Sequence, residues 1–93
     1  MKINFNKHFK TYDGKESPEV MSVVIAQALF AAGGGNTMDA EQKFKAYRLS
    51  QTLINSPGEV EITTEEATLI KNVCNRTLTA GGYGQVYDTI ENG

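Results

Sequence analysis

The feature that most constrains the fold of this chain of 93 residues is a capping box that precedes its last third. Thr63 is followed three residues later by Glu66, so the Thr hydroxyl can accept from the Glu66 amide while the Glu carboxylate accepts from the Thr63 amide. Apolar side chains then recur at helical spacing at Leu69, Ile70, Val73 and Cys74. This pattern predicts a helix over residues 64–76.

A second closing helix is predicted over residues 82–91, after a turn that contains Gly81, Gly82 and Gly84. Its apolar row consists of Tyr83, Val86, Tyr87 and Ile90. We expect the two closing helices to pack on each other through one apolar seam.

The most apolar segment runs from Val20 to Ala32 and predicts the central helix of the domain, over residues 18–32. Ser17-Pro18-Glu19 is typical of a helix start, because Ser caps, Pro fits the first turn and Glu complements the helix dipole. Only Ser22 and Gln27 form a polar strip. The glycines at residues 33–35 end the helix, one of them in a left-handed conformation.

A further helix is predicted over residues 40–55, capped by Thr37 or Asp39 and ended by Ser56-Pro57-Gly58. We expect its buried face to contain the larger apolar side chains, which are Phe44, Tyr47, Leu49, Leu53 and Ile54.

Two segments alternate between apolar and polar residues, as strands do. Ile3 and Phe5 alternate within an N-terminal strand and turn, residues 1–16, in which Tyr12-Asp13-Gly14-Lys15 reverses the chain. Val60 and Ile62 alternate within a strand over residues 59–63 that can pair with the first. The predicted fold is therefore α+β: a single domain, residues 1–93, of four helices with a short two-stranded sheet.

Composition excludes several classes of protein. A hydrophobic fraction of 40% with 22% charged residues is typical of a globular domain and not of a disordered chain. The net charge of −2 argues against binding nucleic acids through their phosphates. The segment from Val20 to Ala32 is shorter than the ~20 residues that span a bilayer, and no secretory signal pattern is visible, so we expect no membrane partner and a cytoplasmic protein.

The residues that could support catalysis are few. His8 is the single histidine and Cys74 the single cysteine, so they cannot form the usual zinc site of three or four nitrogen and sulfur ligands. Counting alone leaves a Cys–His pair open. Cys74, however, lies in an apolar stripe, as a small buried hydrophobe would. We therefore expect no catalytic residue, no metal and no cofactor.

Two motif-like segments are also poor candidates for a site. Gly81-Gly82-Tyr83-Gly84-Gln85 matches neither dinucleotide nor P-loop spacing and lacks a lysine for phosphate. A helix-turn-helix in the same region would present Gln85, Asp88, Thr89 and Glu91 to DNA, with no Arg or Lys among them. Nucleic acid is therefore not an expected partner.

The aromatic residues give the one indication of a binding surface. Tyr83 and Tyr87 lie four residues apart on the last predicted helix, whose Val86 and Ile90 should face the core. At least one tyrosine should then reach the rim, where rings are favoured at protein interfaces. We predict a protein-binding surface at Tyr83, Tyr87, Asp88 and Glu91; the alternative is that both rings pack in the core and only their hydroxyls reach water.

Several stretches resemble small accessory proteins of tailed bacteriophages and prophages. They are Met1-Lys2-Ile3-Asn4-Phe5-Asn6, Tyr12-Asp13-Gly14-Lys15, Glu41-Gln42-Lys43-Phe44-Lys45-Ala46-Tyr47, the segment from Val60 to Lys71, and the ending Gly84-Gln85-Val86-Tyr87-Asp88-Thr89-Ile90-Glu91. The resemblance implies a compact phage-encoded protein made in the cytoplasm of a bacterial host. It supplies no catalytic or binding residue.

The expected function is non-enzymatic: binding a host or phage protein in order to regulate or inhibit it, as inhibitors of host defence or host transcription do. The alternative is a structural or chaperone-like role in phage assembly. An interaction protein should expose an apolar or aromatic patch, an assembly protein should self-associate through one, and an enzyme should show titratable groups that converge in a pocket. Nothing in the pattern specifies an oligomeric state.

Overall fold

The computed structural model describes residues 1–92, apart from the side chain of Asn36. In chain order the elements are β1 (Lys2–Asn4), β2 (His8–Lys10), β3 (Glu16–Val20), α1 (Met21–Phe30), a 3-10 turn (Gly34–Asn36), α2 (Ala40–Ile54), β4 (Glu59–Glu61), α3 (Thr64–Thr77) and α4 (Ala80–Asn92). Over these residues the α+β prediction of four helices and a sheet that joins the N-terminal segment to residues 59–63 is confirmed. A second two-stranded sheet, β2–β3, was not predicted.

The predicted sheet pairs β1 with β4 in antiparallel register, with Ile3 opposite Val60. Both side chains are buried, whereas their neighbours along each strand are exposed. The alternation read from the sequence is therefore the alternation between core and solvent.

The second sheet is a hairpin in which β2 pairs with β3 around the predicted turn. The turn is closed by the Thr11 amide, which donates to the Lys15 carbonyl at 2.7 Å, and Gly14 adopts the left-handed φ of +85° that the reversal needs. Pro18 lies within β3, an edge strand, where its missing N–H is tolerated.

The predicted start of the central helix at Pro18 is wrong, because α1 begins at Met21. Ser17 does not cap the helix; its hydroxyl accepts from the Glu19 amide within β3. The first helical amides are satisfied by another part of the chain: Met21 donates to the Lys7 carbonyl at 2.7 Å and Ser22 to the Phe5 carbonyl at 2.9 Å. These tertiary hydrogen bonds outweigh the local capping signal.

Helix α1 is central, as expected, and contacts α2, α3 and β3. Its buried side chains include Ile25 and Leu29. The predicted polar strip is wrong in part, since Ser22 is buried while Val23 and Phe30 are exposed. The helix ends at Phe30, before Gly33 takes up a left-handed φ of +86°.

Helix α2 begins at the predicted cap, where the Asp39 carboxylate accepts from the Gln42 amide at 2.8 Å. The predicted buried face is wrong for its bulky members, because Phe44, Tyr47 and Ile54 are exposed. The buried stripe instead consists of Ala46, Leu49, Ser50 and Leu53, which recur at helical spacing. Small side chains at two of these positions let α1 pack closely against α2, and the large rings are left outside the contact.

Helix α3 carries both hydrogen bonds of the predicted capping box, at 3.1 Å and 2.8 Å between Thr63 and Glu66. Helix α4 begins at Ala80, two residues before the predicted start, so Gly81 lies inside the helix together with Gly82 and Gly84 and does not form a turn. Thr79 provides the start: its carbonyl accepts from the Tyr83 amide at 2.8 Å and its hydroxyl from the Gly82 amide at 3.4 Å.

One continuous apolar core joins β1, β2, β4 and the helices, with Phe5, Ile25, Leu29, Ile70 and Val86 among its most completely buried members. Among the helices of residues 1–92, none has both the length and the apolar character required to cross a lipid bilayer.

Candidate functional site

The two residues that could have formed a nucleophilic pair lie in different environments. His8 is exposed in β2, and its Nδ1 donates to the Ser17 carbonyl at 2.9 Å across the hairpin. Cys74 is fully buried in α3, as predicted, and burial raises the pKa of its thiol to about 11. A thiol with so high a pKa is protonated at neutral pH and is a poor nucleophile.

No metal-binding arrangement is visible in the described part of the chain: over residues 1–92, no three His, Cys, Asp or Glu side chains lie close enough together to hold an ion. The glycine-rich segment offers no phosphate cradle either. Its amides belong to the first turns of α4, and the Gly82 amide already donates to Thr79.

The predicted binding residues lie on one outer side of α4, which we call the tyrosine surface: Tyr83, Tyr87, Asp88 and Glu91. Val86 and Ile90 of the same helix are buried, as expected. Tyr87 is 42% exposed and Tyr83 is half-buried against the core, so the prediction that at least one ring reaches the rim is confirmed. The two rings contact each other, with centroids 6.1 Å apart.

Lys71 of α3, which the sequence reasoning did not single out, holds this surface in place. Its Nζ lies 4.5 Å from the centroid of the Tyr87 ring and 2.9 Å from a carboxylate oxygen of Glu91. The hydrogen bond to Glu91 is the main reason that the pKa of Lys71 is raised above its ordinary value. Two of the four predicted residues, Tyr87 and Glu91, therefore also contact α3 through Lys71.

Asp88 is exposed and makes no ion pair within residues 1–92. The tyrosine surface thus combines an exposed ring, an ion pair and an additional carboxylate. Aromatic centres with polar rims are typical of surfaces that bind another protein reversibly.

A second exposed aromatic surface, which the sequence reasoning missed, lies on α1 and α2. We call it the α1–α2 face: Val23, Gln27 and Phe30 of α1 with Tyr47, Gln51 and Ile54 of α2. Phe30 is 65% exposed and its ring centroid lies 6.1 Å from that of Tyr47, which is 46% exposed. Phe44 lies beside this face and lines the neighbouring depression between α2 and α3; its ring centroid is 6.4 Å from that of Tyr47 and 5.6 Å from the Arg48 guanidinium.

The signal that could have revealed this face is the number of apolar residues on α1 and α2. Helix α1 contains no charged residue at all, and α2 has two apolar sets, only one of which can face α1. The predicted buried face joined Leu49 and Leu53 to three bulky residues that are exposed, whereas Ala46 and Ser50 complete it in the structure.

Two surface depressions contain titratable groups. One, of about 480 Å³, lies between α2 and α3 and is lined by Phe44, Leu69 and charged residues of both signs. Of these, Glu66 is already engaged in the capping box. Another, about 360 Å³, separates the β2–β3 hairpin from the start of α4 and contains one acid, Glu19, and one base, Lys10.

Comparison with protein-family models, with curated proteins and with solved structures finds no match for this chain.

Proposed function

We propose that this chain is a non-enzymatic, phage-encoded accessory protein that binds a protein of the bacterial host or of the phage and regulates or inhibits it. Its site of action is the bacterial cytoplasm, and its targets are of the kind found in host defence or host transcription. The phage context rests on the resemblance of the sequence. The binding function rests on the tyrosine surface.

The observation that supports the proposal is the exposed ring of Tyr87. Lys71 contacts this ring and at the same time pairs with Glu91. A partner that covers Tyr87 gains aromatic contact area, and tyrosine is enriched among the residues that dominate binding energy. Lys71, Asp88 and Glu91 supply charges of both signs around the ring for specificity.

The test is affinity capture from a lysate of the bacterial host, quantified by mass spectrometry, with three baits: the wild type, Tyr87→Ala and Tyr12→Ala. Tyr12 is the matched control, because its side chain is fully exposed at the hairpin turn and takes no part in the ring contacts of Tyr83, Tyr87 and Lys71. We expect Tyr87→Ala to reduce the captured amount of a specific partner at least about fivefold, with Tyr12→Ala unchanged.

The same baits are melted to separate binding from folding. Tyr87→Ala should shift the melting temperature by only a few degrees, since the ring is largely outside the core. Equal capture by all three baits would contradict the tyrosine surface as the binding site. If Tyr87→Ala lowers the melting temperature strongly as well as the captured amount, the Tyr87 side chain is needed for folding and not specifically for binding.

The second candidate function is a structural or chaperone-like role in phage assembly. The uncharged α1–α2 face favours it, because self-associating proteins use surfaces of this composition. An assembly protein should form oligomers larger than a dimer and should co-purify with phage particles, whereas a regulator should do neither.

A further inference from the structure

We propose that the α1–α2 face is a self-association surface whose occupant is a second copy of this chain, so that two α1–α2 pairs form a four-helix bundle. The inference concerns a surface on other helices than the tyrosine surface and does not depend on the proposed function.

The first argument is the repeated pattern of the two helices. Each presents an apolar residue, a glutamine four positions later and an apolar residue three positions after that: Val23, Gln27 and Phe30 on α1, and Tyr47, Gln51 and Ile54 on α2. This spacing is that of coiled-coil seam positions with a polar residue in the middle. Helices α1 and α2 are already packed together, so the two stripes form one continuous surface.

The residues of this surface lie in layers. Phe30 lies beside Tyr47 at one end. Phe30 also lines, with Val23 and Ile54, one open depression of about 290 Å³ that includes the buried residues Ala26 and Ser50. The glutamines occupy the middle of both stripes. Whichever way a two-fold axis lies in the plane of the face, glutamines of one copy meet glutamines of the other, and their carboxamides can both donate and accept.

The third argument is charge. None of the six residues of the face is charged, and α1 carries no charge over its whole length, Met21–Phe30. Two identical surfaces can therefore meet without opposing like charges at the centre, which is the usual obstacle to self-association of a surface.

The exposed area is that of a weak interface. Phe30 and Tyr47 each leave about half or more of the side chain in solvent, and since an aromatic side chain carries ~150–250 Å², these two rings alone expose on the order of 200 Å². With the aliphatic and glutamine side chains, two such faces bury about 1,000 Å² in total, the lower bound for a specific interface. The dimer should accordingly be weak, with a dissociation constant in the micromolar range.

The test is sedimentation equilibrium of the whole chain over roughly 5–200 µM, a range that brackets micromolar association, with Gln27→Glu and Gln42→Glu as the variants. Both substitutions add one negative charge by the same chemical change, and both sites are exposed. Gln42, however, is not one of the six residues of the α1–α2 face and instead lines the depression between α2 and α3. We expect a monomer–dimer equilibrium for the wild type and Gln42→Glu, and association at least about tenfold weaker for Gln27→Glu at pH 7.

A mixing experiment keeps the inference falsifiable if Gln27→Glu proves monomeric for another reason. Gln27→Glu mixed with Gln27→Lys should associate more tightly than either variant alone, because opposite charges then meet at the centre. If the wild type remains monomeric at the highest concentration, the inference is overturned, and a different protein would be the expected occupant of the face. Undiminished association of Gln27→Glu would also overturn it, since the copies would then meet elsewhere.

Discussion

At the scale of single residues, Gln85 explains how a two-stranded hairpin is held against the helices. The Lys10 amide donates to its Oε1 at 2.8 Å, and its Nε2 donates to the Lys10 carbonyl at 2.9 Å. One carboxamide thus bonds to β2 as the peptide group of a neighbouring strand would, and it covers part of the free edge of the sheet. No pattern in the sequence marks this role, because Gln85 and Lys10 are 75 positions apart.

We expect Gln85→Leu, which removes both hydrogen bonds to Lys10 and a third to the Gly81 carbonyl, to lower the free energy of unfolding by about 1–2 kcal/mol. Gln85→Glu keeps the acceptor and loses the donor, so its effect should be intermediate. Urea denaturation gives the stabilities, and hydrogen exchange of the Lys10 amide reports the loss locally. If both variants had the stability of the wild type and the same exchange rate at the Lys10 amide, the hydrogen bonds to Gln85 would not be what holds the hairpin.

Cys74 gives a pH-dependent prediction. Its pKa rises from 9.0 to about 11 on burial, so the unfolded chain loses the thiol proton at a lower pH than the folded chain. The folded chain therefore keeps its full stability below pH 9, where the thiol is neutral in both states. It loses stability as the pH rises from 9 towards 11, because the unfolded chain is then deprotonated first. Because Cys74→Ala has no thiol, the stability difference between wild type and variant should fall by about 1–3 kcal/mol over this range. A difference that stays constant with pH would contradict the burial of the thiol.

At the scale of elements, the sequence predicts what depends on neighbouring residues and misses what depends on distant ones. The capping box at Thr63 and the Asp39 cap are local, and both are present. The start of α1 was misplaced because the amides of Met21 and Ser22 bond to carbonyls of an earlier segment, Phe5 to Lys7. Strand β3 was missed because Ser17-Pro18-Glu19 was interpreted as a helix start, whereas these residues belong to a strand that pairs with β2 across the hairpin turn.

In the candidate site, too, features that depend on neighbouring residues could be predicted and features that depend on tertiary packing could not. The exposure of Tyr87 follows from the helical period of Val86 and Ile90, which points the ring outward. Its contact with Lys71 depends on how α3 packs on α4 and could not be predicted. The α1–α2 face was missed because periodicity alone does not say which of two apolar stripes on α2 faces the core.

Two glycines allow a matched test of the elements. Gly84 lies inside α4 and a Cβ there would meet no atom within 4 Å, so Gly84→Ala should stabilise the protein by about 0.5–1 kcal/mol through helix propensity. Gly14 has a φ of +85°, so the same substitution there should destabilise by about 1 kcal/mol although space is available. Thermal melts of both variants measure the shifts. Shifts of the same sign would contradict the assigned conformation of one of the two glycines.

At the scale of the whole molecule, one helix serves two purposes. Ile25 and Leu29 of α1 fill the core, while Val23 of the same helix faces solvent. We expect Ile25→Ala to cost about 2–5 kcal/mol, a large part of the stability of so small a domain, and Val23→Ala to cost less than about 1 kcal/mol. Chemical denaturation distinguishes the two outcomes. Equal losses would mean that α1 is not placed with Ile25 inward.

The molecule as a whole presents two exposed aromatic surfaces of different composition. The α1–α2 face is uncharged, as the centres of self-association interfaces are, and the tyrosine surface has charges around its ring, as reversible binding surfaces have. In the proposed account, one surface joins two copies and the other receives the partner protein, so the two binding events should be separable by mutation.

The most direct test is sedimentation velocity of the protein mixed with its purified partner, repeated with Tyr87→Ala and with Gln27→Glu. The account predicts a complex of two copies and two partners for the wild type, a dimer without partner for Tyr87→Ala, and a one-to-one complex for Gln27→Glu. Loss of partner binding in Gln27→Glu together with undiminished binding in Tyr87→Ala would contradict it, because the partner would then occupy the α1–α2 face.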